Sequence, residues 1–205
     1  MFVRFLIVDE LNRGSEKAID ALNKASIIIG FIALMGMVIV AAYPVTTAST
    51  DETSIGAVHG VGANVLFIGG VIYAALQTSL SFKMSPYYNG RTICYIRLVI
   101  TILSALSLIT MTILLPFGFQ NWSSGSHDHW TGSKMPYDKG FGLLVASSVA
   151  EWLMAIFFLA YYFTFIREFG KVFIHLRVQL LVNHFDEEPH EGNIVVASER
   201  TPIVT

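Results

Sequence analysis

The sequence has little charge and almost no cysteine. Asp, Glu, Lys and Arg make up 14% of the 205 residues, against roughly 25% in soluble domains. The one cysteine, Cys94, excludes a disulfide within the chain and a cysteine-based zinc site. A formal charge of −2 provides no basic field for nucleic acid. With 54% hydrophobic residues, the composition excludes a soluble enzyme, a disordered chain and a nucleic-acid-binding protein, and predicts an integral membrane protein.

Motifs of catalysis are also missing. The sequence has no nucleotide-binding glycine loop, no nucleophile–base motif and no paired-carboxylate site. One short cluster resembles a set of metal ligands: His127 and His129 flank Asp128. A single cluster of this kind does not predict a metal site. We therefore expect no catalytic residue, no cofactor and no metal.

Four apolar segments are long enough to cross a bilayer, which takes about 20 helical residues. They are residues 25–43, 55–82, 93–119 and 141–166. Residues 1–8 are apolar over too short a stretch to span or to form a signal-peptide core. The predicted fold class is therefore all-α, a multi-pass transmembrane helix bundle with four spans.

Basic residues predict the orientation of these spans. Eleven of the thirteen Lys and Arg residues lie in 1–24, in 83–97 or after residue 166, whereas the 120–140 loop carries two. Lys and Arg accumulate on the cytosolic side of membrane proteins. We expect both termini and segment 1–24 to be cytosolic and the 120–140 loop to be luminal.

The region after the last span divides in two. Apolar residues recur at helical spacing between the basic residues Arg167, Lys171 and Arg177. This pattern predicts either an amphipathic cytosolic helix over 167–185, bound to anionic lipids of the leaflet, or a simple extension of the last span. Residues 186–205 are acidic without periodicity, which predicts a disordered tail.

Five polar side chains stand out within the predicted spans: His59, Asn64, Gln77, Arg97 and Glu151. A polar group in lipid is costly, so each is expected to face the bundle and find a partner. At 1.5 Å per helical residue, Asn64 and Glu151 lie level near mid-membrane, which predicts a hydrogen bond between them. Gln77 and Arg97 lie level near the cytosolic interface.

For three of these residues, the sequence allows both a functional and a structural role. Glu151 is either a head-group, ion or proton-relay site, or a protonated acid in a structural hydrogen bond. Arg97 lies close enough to the interface to extend its charge into water, which favours a structural role. His59 either titrates in an acidic lumen or is a hydrogen-bonded interfacial histidine.

Three further patterns in the sequence concern covalent modification and helix packing. Asn121 begins an Asn-Trp-Ser glycosylation acceptor, though close to the bilayer. Cys94 is juxtamembrane and cytosolic, a position typical of palmitoylation. Small residues predict close helix packing: Gly56 and Gly60 form a GxxxG step, Gly62, Gly69 and Gly70 follow in the same span, and Gly30 and Gly36 lie in the first.

Several stretches, taken in order and spacing, resemble one known family. They are His59 with Gly62-Ala63, Tyr73, Gln77 and Ser81-Phe82-Lys83, then Ile96-Arg97-Leu98-Val99, Asp138-Lys139-Gly140, Glu151-Trp152, Phe163-Thr164-Phe165-Ile166-Arg167 with Phe169, and Leu176-Arg177-Val178. Over roughly residues 1–180 the chain resembles the damage-regulated autophagy modulator (DRAM) family of the Frag/DRAM/Sfk membrane superfamily. Members of that family typically have six spans, and the first two have no counterpart here.

The resemblance implies a non-enzymatic regulator of autophagy and lysosomal function in lysosomal or other endomembranes. Its expected partners are membrane lipids and proteins of autophagy or lysosomal regulation, and no nucleic acid. Two alternatives stay open. One is a regulator of phosphoinositide or GPI-anchor lipid metabolism at the plasma membrane or Golgi. The other is a proton- or ion-coupled transporter that uses Glu151, which four spans without inverted halves make less favourable.

Overall fold

The structure, a computed structural model, describes residues 1–44, 52–86, 88–125 and 134–172. These residues form helices and no strand. In chain order the helices are α1 (Phe2–Asn12), α2 (Lys17–Ala42), α3 (Glu52–Lys83), α4 (Arg91–Ser123), α5 (Phe141–Phe163) and α6 (Ile166–Phe169). Four stretches are long and apolar enough to cross a membrane: Lys17–Ala42, Ile55–Lys83, Arg91–Ser123 and Phe141–Phe169. The prediction of an all-α protein with four spans is confirmed.

The segment expected to be cytosolic, 1–24, is itself helical. It contains α1 and the first turns of α2, joined by a turn in which Arg13 and Gly14 adopt left-handed backbone conformations. Asn12 closes this turn: its Oδ1 accepts from the Glu16 backbone N–H over 3.1 Å, and its Nδ2 donates to the Glu16 carbonyl over 3.1 Å. The turn places α1 against α2 and so directs Arg4 into the interior.

Close helix contacts occur at glycines, as the small residues predict, but not at the expected pair. A Cβ on Gly36 of α2 would lie 2.6 Å from the Leu66 backbone nitrogen and 2.7 Å from the Gly62 carbonyl oxygen. Around Gly56 and Gly60 there is nothing within 4 Å of such an atom. The prediction of close packing is therefore wrong at Gly56 and Gly60, because no neighbouring helix comes within 4 Å of a Cβ at either position, whereas it is confirmed at Gly36 and Gly62.

The interior of the bundle contains charged side chains, which is unusual for a buried region. Arg4 and Arg97 are the two largest side chains that are fully buried, and Gln77, Asn23 and three serines are buried with them. Many large apolar side chains lie instead on the outer surface. An outer apolar surface suits lipid, because helices in a membrane gain no hydrophobic energy from turning such side chains inward.

The last predicted segments are described only in part. A break at Thr164 and Phe165 separates α5 from α6, and α6 ends at Phe169, with Gly170 as its C-cap. Residues 173–205, with Arg177 and the acidic tail, lie outside the described residues, as do 126–133 with the His127–His129 cluster.

Candidate functional site

One carboxylate lies between two arginines at the end of the bundle predicted to be cytosolic. Arg4 Nη1 donates to Glu168 Oε2 over 3.0 Å, and Arg97 Nη2 donates to Glu168 Oε1 over 2.5 Å. The side chains of Arg4, Arg97 and Glu168 are 1%, 0% and 10% exposed. These three residues, from α1, α4 and α6, are the ionic cluster.

Arg97 is held at every nitrogen of its guanidinium. Its Nε donates to Thr164 Oγ1 over 2.9 Å, its Nη1 to Ser81 Oγ over 2.6 Å, and its Nη2 to the Thr164 carbonyl over 3.2 Å as well as to Glu168. The break between α5 and α6 makes this possible, since it brings the Thr164 carbonyl to the guanidinium. Arg97 does not extend into water; its five donors serve as a fixed fork.

Arg4 extends the ionic cluster toward α2. Its Nε donates to Gln77 Oε1 over 3.3 Å, and Gln77 Nε2 donates to Ser26 Oγ over 2.9 Å. Ser26 in turn donates to the Asn23 carbonyl over 2.8 Å. This chain of hydrogen bonds ties α1, α2 and α3 together.

An aromatic ring and an amide complete the surroundings of the ionic cluster. The guanidinium carbons of Arg97 and Arg4 lie 3.7 Å and 5.4 Å from the centre of the Phe165 ring, within cation–π range. With its amide nitrogen turned toward Glu168, Asn89 donates to Oε1 over 2.8 Å. Asn89 precedes α4, so the α3–α4 turn is joined to the same carboxylate.

The charges of the ionic cluster do not cancel. Two guanidinium groups face one carboxylate, which leaves one formal positive charge inside the protein. Burial lowers the pKa of the Arg4 guanidinium, and the charge of Glu168 opposes that shift. The cluster fixes three helix ends through one carboxylate and keeps a positive charge at this end of the bundle.

A second polar layer lies one to two turns deeper. Tyr161 Oη donates to the Ala74 carbonyl over 2.9 Å and lies 3.0 Å from Thr78 Oγ1, which lies 3.1 Å from Thr101 Oγ1. These contacts join α3, α4 and α5. Each of these side chains is buried, so this layer keeps the three helices in register beneath the ionic cluster.

The structure brings together two of the five polar residues singled out from the sequence. Gln77 and Arg97 are both buried, as expected, and they meet through Arg4, Glu168 and Ser81. Arg4 and Glu168 were not singled out, because charged residues at the ends of spans are ordinary. The signal that was available is Glu168 itself, an acid placed between Arg167 and Lys171.

The other three polar residues lie apart, around a cavity of about 400 Å³ between α3, α4 and α5 that Thr112 and Pro116 also line. Asn64 and Glu151 are exposed, not buried, and Asn64 Nδ2 donates to the Gly60 carbonyl over 2.8 Å. Their predicted mutual hydrogen bond is wrong: both residues line the cavity, and Asn64 donates to its own helix and not to Glu151.

His59 is half-buried at the same cavity. Its Nδ1 lies 2.9 Å from the Tyr43 carbonyl oxygen, at the other end of the α2–α3 connection. This contact agrees with the interpretation of His59 as a hydrogen-bonded histidine at the interface.

The candidate modification sites have different surroundings. Cys94 is fully buried and its thiol donates to the Ser81 carbonyl, with 3.3 Å between sulfur and oxygen. The palmitoylation prediction is therefore wrong, because the sulfur faces α3 and not the bilayer. Asn121 is half-buried within the last turn of α4. Among the lipid-surface candidates, Arg167 and Lys171 are exposed, and Arg177 lies outside the described residues.

Four apolar helices held at one end by a buried ionic cluster define a multi-pass membrane protein of the helical-bundle class. Residues 1–172 match the profile of the Frag1/DRAM/Sfk1/Cwh43P N-terminal domain. The chain therefore belongs to the Frag1/DRAM/Sfk1 family, which confirms the resemblance seen in the sequence. No solved structure matches the chain.

Several relatives of the chain are named as autophagy modulators. The chain is 31% identical over 180 residues to DNA damage-regulated autophagy modulator protein 1 of Xenopus laevis, which covers 88% of this chain and 69% of that protein. It is 33% identical over 183 residues to DNA damage-regulated autophagy modulator protein 2 of Homo sapiens, covering 88% of this chain and 64% of that protein. Modulator of macroautophagy TMEM150B of Danio rerio is 23% identical over 173 residues, 84% of this chain and 59% of its own length. The chain thus spans about two thirds of the length of these relatives.

Proposed function

We propose that this chain is a non-enzymatic modulator of autophagy that acts in a lysosomal or other endomembrane. The observation that carries the proposal is 33% identity, over 88% of the chain, to a protein named as an autophagy modulator. Relatives in this family are named for modulation and not for a chemical reaction. The donor-rich ionic cluster agrees with a binding role.

The geometry supports a specific way of acting. The ionic cluster joins α1, α4 and α6, and Gln77 extends it to α3. A change in any of these helix ends would leave a buried arginine without its carboxylate, which costs about 3–5 kcal/mol. We propose that the cluster holds the cytosolic face in one conformation, which protein partners of autophagy or lysosomal regulation recognise.

Disruption of the gene followed by rescue tests the function. Autophagic flux is measured as the turnover of an autophagosome marker with and without inhibition of lysosomal acidification. We expect flux to change on disruption and to return with the wild-type chain. A Glu168→Gln variant should not restore flux, whereas Glu10→Gln should, because Glu10 is exposed and pairs with Arg13 at the surface.

Localisation provides the second readout. A fluorescent fusion of the wild-type chain is expected to coincide with a lysosomal or other endomembrane marker. Unchanged flux on disruption, together with a plasma-membrane signal and altered phosphoinositide content, would contradict the proposal and support the role in lipid metabolism. To separate loss of function from loss of protein, membrane-inserted protein is quantified for every variant.

A further inference from the structure

A second cavity lies beside the ionic cluster, between the α3–α4 turn and α6. Its volume is about 350 Å³. Seven of the residues that line it are polar: Tyr88, Asn89, Thr92, Thr164, Arg167, Glu168 and Lys171. We call it the α4–α6 cavity.

The charge around the α4–α6 cavity is strongly positive. Arg167 and Lys171 are exposed, and neither has an ion pair with another described residue. The carboxylate that lines the cavity, Glu168, already accepts from Arg4, Arg97 and Asn89. Among the described residues of the cavity and the cluster, four cationic side chains therefore face one carboxylate.

Backbone donors point to the same kind of ligand. The helix α4 begins here, with Gly90 as its N-cap and no side-chain hydrogen bond capping it. The first N–H groups of a helix carry partial positive charge. The Ile93 N–H donates to the Gly90 carbonyl over 3.2 Å, which leaves the N–H groups of Arg91 and Thr92 without a partner inside the helix. Thr92, in that first turn, lines the cavity.

We infer that the α4–α6 cavity binds a phosphate group, carried by the headgroup of an anionic lipid in the predicted cytosolic leaflet. Guanidinium, ammonium, hydroxyl and helix N–H donors together suit phosphate oxygens. Basic pockets between transmembrane helices on the cytosolic side suit lipid headgroups.

Apolar residues at the rim favour a lipid over a free phosphate. Ile93 and Ile96 line the α4–α6 cavity, and Ile96 is 45% exposed on the outer face of α4. Ile93 and Ile96 lie about one and two turns farther into the predicted span than Gly90. A lipid whose phosphate is held by the basic residues would therefore have its acyl chains beside Ile93 and Ile96.

Native mass spectrometry of the purified full chain in detergent tests the inference. The probes are dioctanoyl phosphatidic acid, dioctanoyl phosphatidylcholine and glycerol 3-phosphate. We expect phosphatidic acid to bind about tenfold or more tightly than phosphatidylcholine, and glycerol 3-phosphate to compete weakly. Equal affinity for the two lipids would overturn the inference. Competition by glycerol 3-phosphate at the concentration of the lipid would overturn the assignment to a lipid.

Paired variants separate the cavity from general surface charge. Arg167→Ala with Lys171→Ala is expected to abolish the preference for phosphatidic acid. The matched control, Lys17→Ala with Lys83→Ala, removes the same charge from exposed positions on the same predicted side and should retain it. Equal loss in both pairs would show attraction to the surface alone and contradict the site.

A second pair of variants keeps the fold intact. Thr92→Glu places a carboxylate in the cavity, and acidic residues in the first turn stabilise a helix. We expect Thr92→Glu to lose the preference and Thr92→Gln, of similar size without charge, to keep it. Retained preference in Thr92→Glu would overturn the inference. The test uses purified protein, so its outcome is independent of the proposed role in autophagy.

Discussion

Arg4 and Glu168 are 164 positions apart in the sequence and form an ion pair of 3.0 Å that is almost closed to solvent. The pair joins the first helix to the last described one. Because Arg97 holds the other carboxylate oxygen, a single side chain determines where three helix ends lie.

Replacing Glu168 by Gln should strongly destabilise the protein. Gln keeps the size of the side chain but leaves Arg4 and Arg97 buried without a counter-charge, which lowers the free energy of unfolding by about 3–5 kcal/mol. Thermal unfolding of the purified protein in detergent measures the change. Glu10→Gln, in an exposed pair, is the control and should leave the unfolding midpoint nearly unchanged. Equal shifts in the two variants would refute the role of the ionic cluster.

The two arginines should differ in importance. Arg97 makes four hydrogen bonds, two with Thr164 and one each with Ser81 and Glu168. Arg4 makes three, with Gln77, Glu168 and, over 3.9 Å, the sulfur of Met84. After Arg4→Met, one arginine and one carboxylate remain and their charges cancel. We expect Arg97→Met to cost roughly 1–3 kcal/mol more than Arg4→Met, since more buried partners lose their donors. Chemical or thermal unfolding measures both variants, and the opposite order would disprove this ranking.

Two glycines should respond in opposite ways to alanine. A methyl group at Gly36 would meet the backbone of α3, so Gly36→Ala should lower the stability by about 1–3 kcal/mol. At Gly60 there is open space, and alanine is the better helix former by about 1 kcal/mol, so Gly60→Ala should be neutral or stabilising. The midpoints of thermal unfolding distinguish the two. Loss of stability in Gly60→Ala alone would contradict the helix contacts described above.

The thiol of Cys94 should react slowly in the folded protein. It is the one cysteine of the chain and is fully buried, so maleimide labelling should be at least about tenfold slower than in the denatured protein. Mass spectrometry of the labelled chain measures the rate. The comparison variant carries Lys83→Cys with Cys94→Ala, which places the thiol at an exposed position and should label rapidly. Fast labelling of native Cys94, or its palmitoylation in cells, would be inconsistent with the buried position.

The spans were predictable because the thickness of the bilayer requires about 20 apolar residues, and nothing else in the chain meets that requirement. The depth of Gln77 and Arg97 was predictable for the same reason, since helical rise fixes depth. Depth alone does not fix the direction in which a side chain points. Asn64 and Glu151 line one cavity, in agreement with a common level in the bundle, yet Asn64 donates to the Gly60 carbonyl and not to Glu151.

The charged half of the site was not predictable from local patterns. Arg4 lies in a short helix before the first span and Glu168 after the break that ends α5. Both positions are where charge is expected for reasons of topology. Only the turn at Asn12 and the break at Thr164, which are matters of tertiary structure, bring them to Arg97.

The ionic cluster also orders the events of biosynthesis. A ribosome that adds 5–20 residues per second needs roughly 10–30 s to proceed from Arg4 to Glu168. Arg4, and later Arg97, are therefore synthesised before the carboxylate that pairs with them. A chain that ends before α6 carries both arginines without Glu168, whereas a chain that includes α6 offsets one of the two positive charges. The three helix ends can therefore be joined through this carboxylate only after the last span has been synthesised.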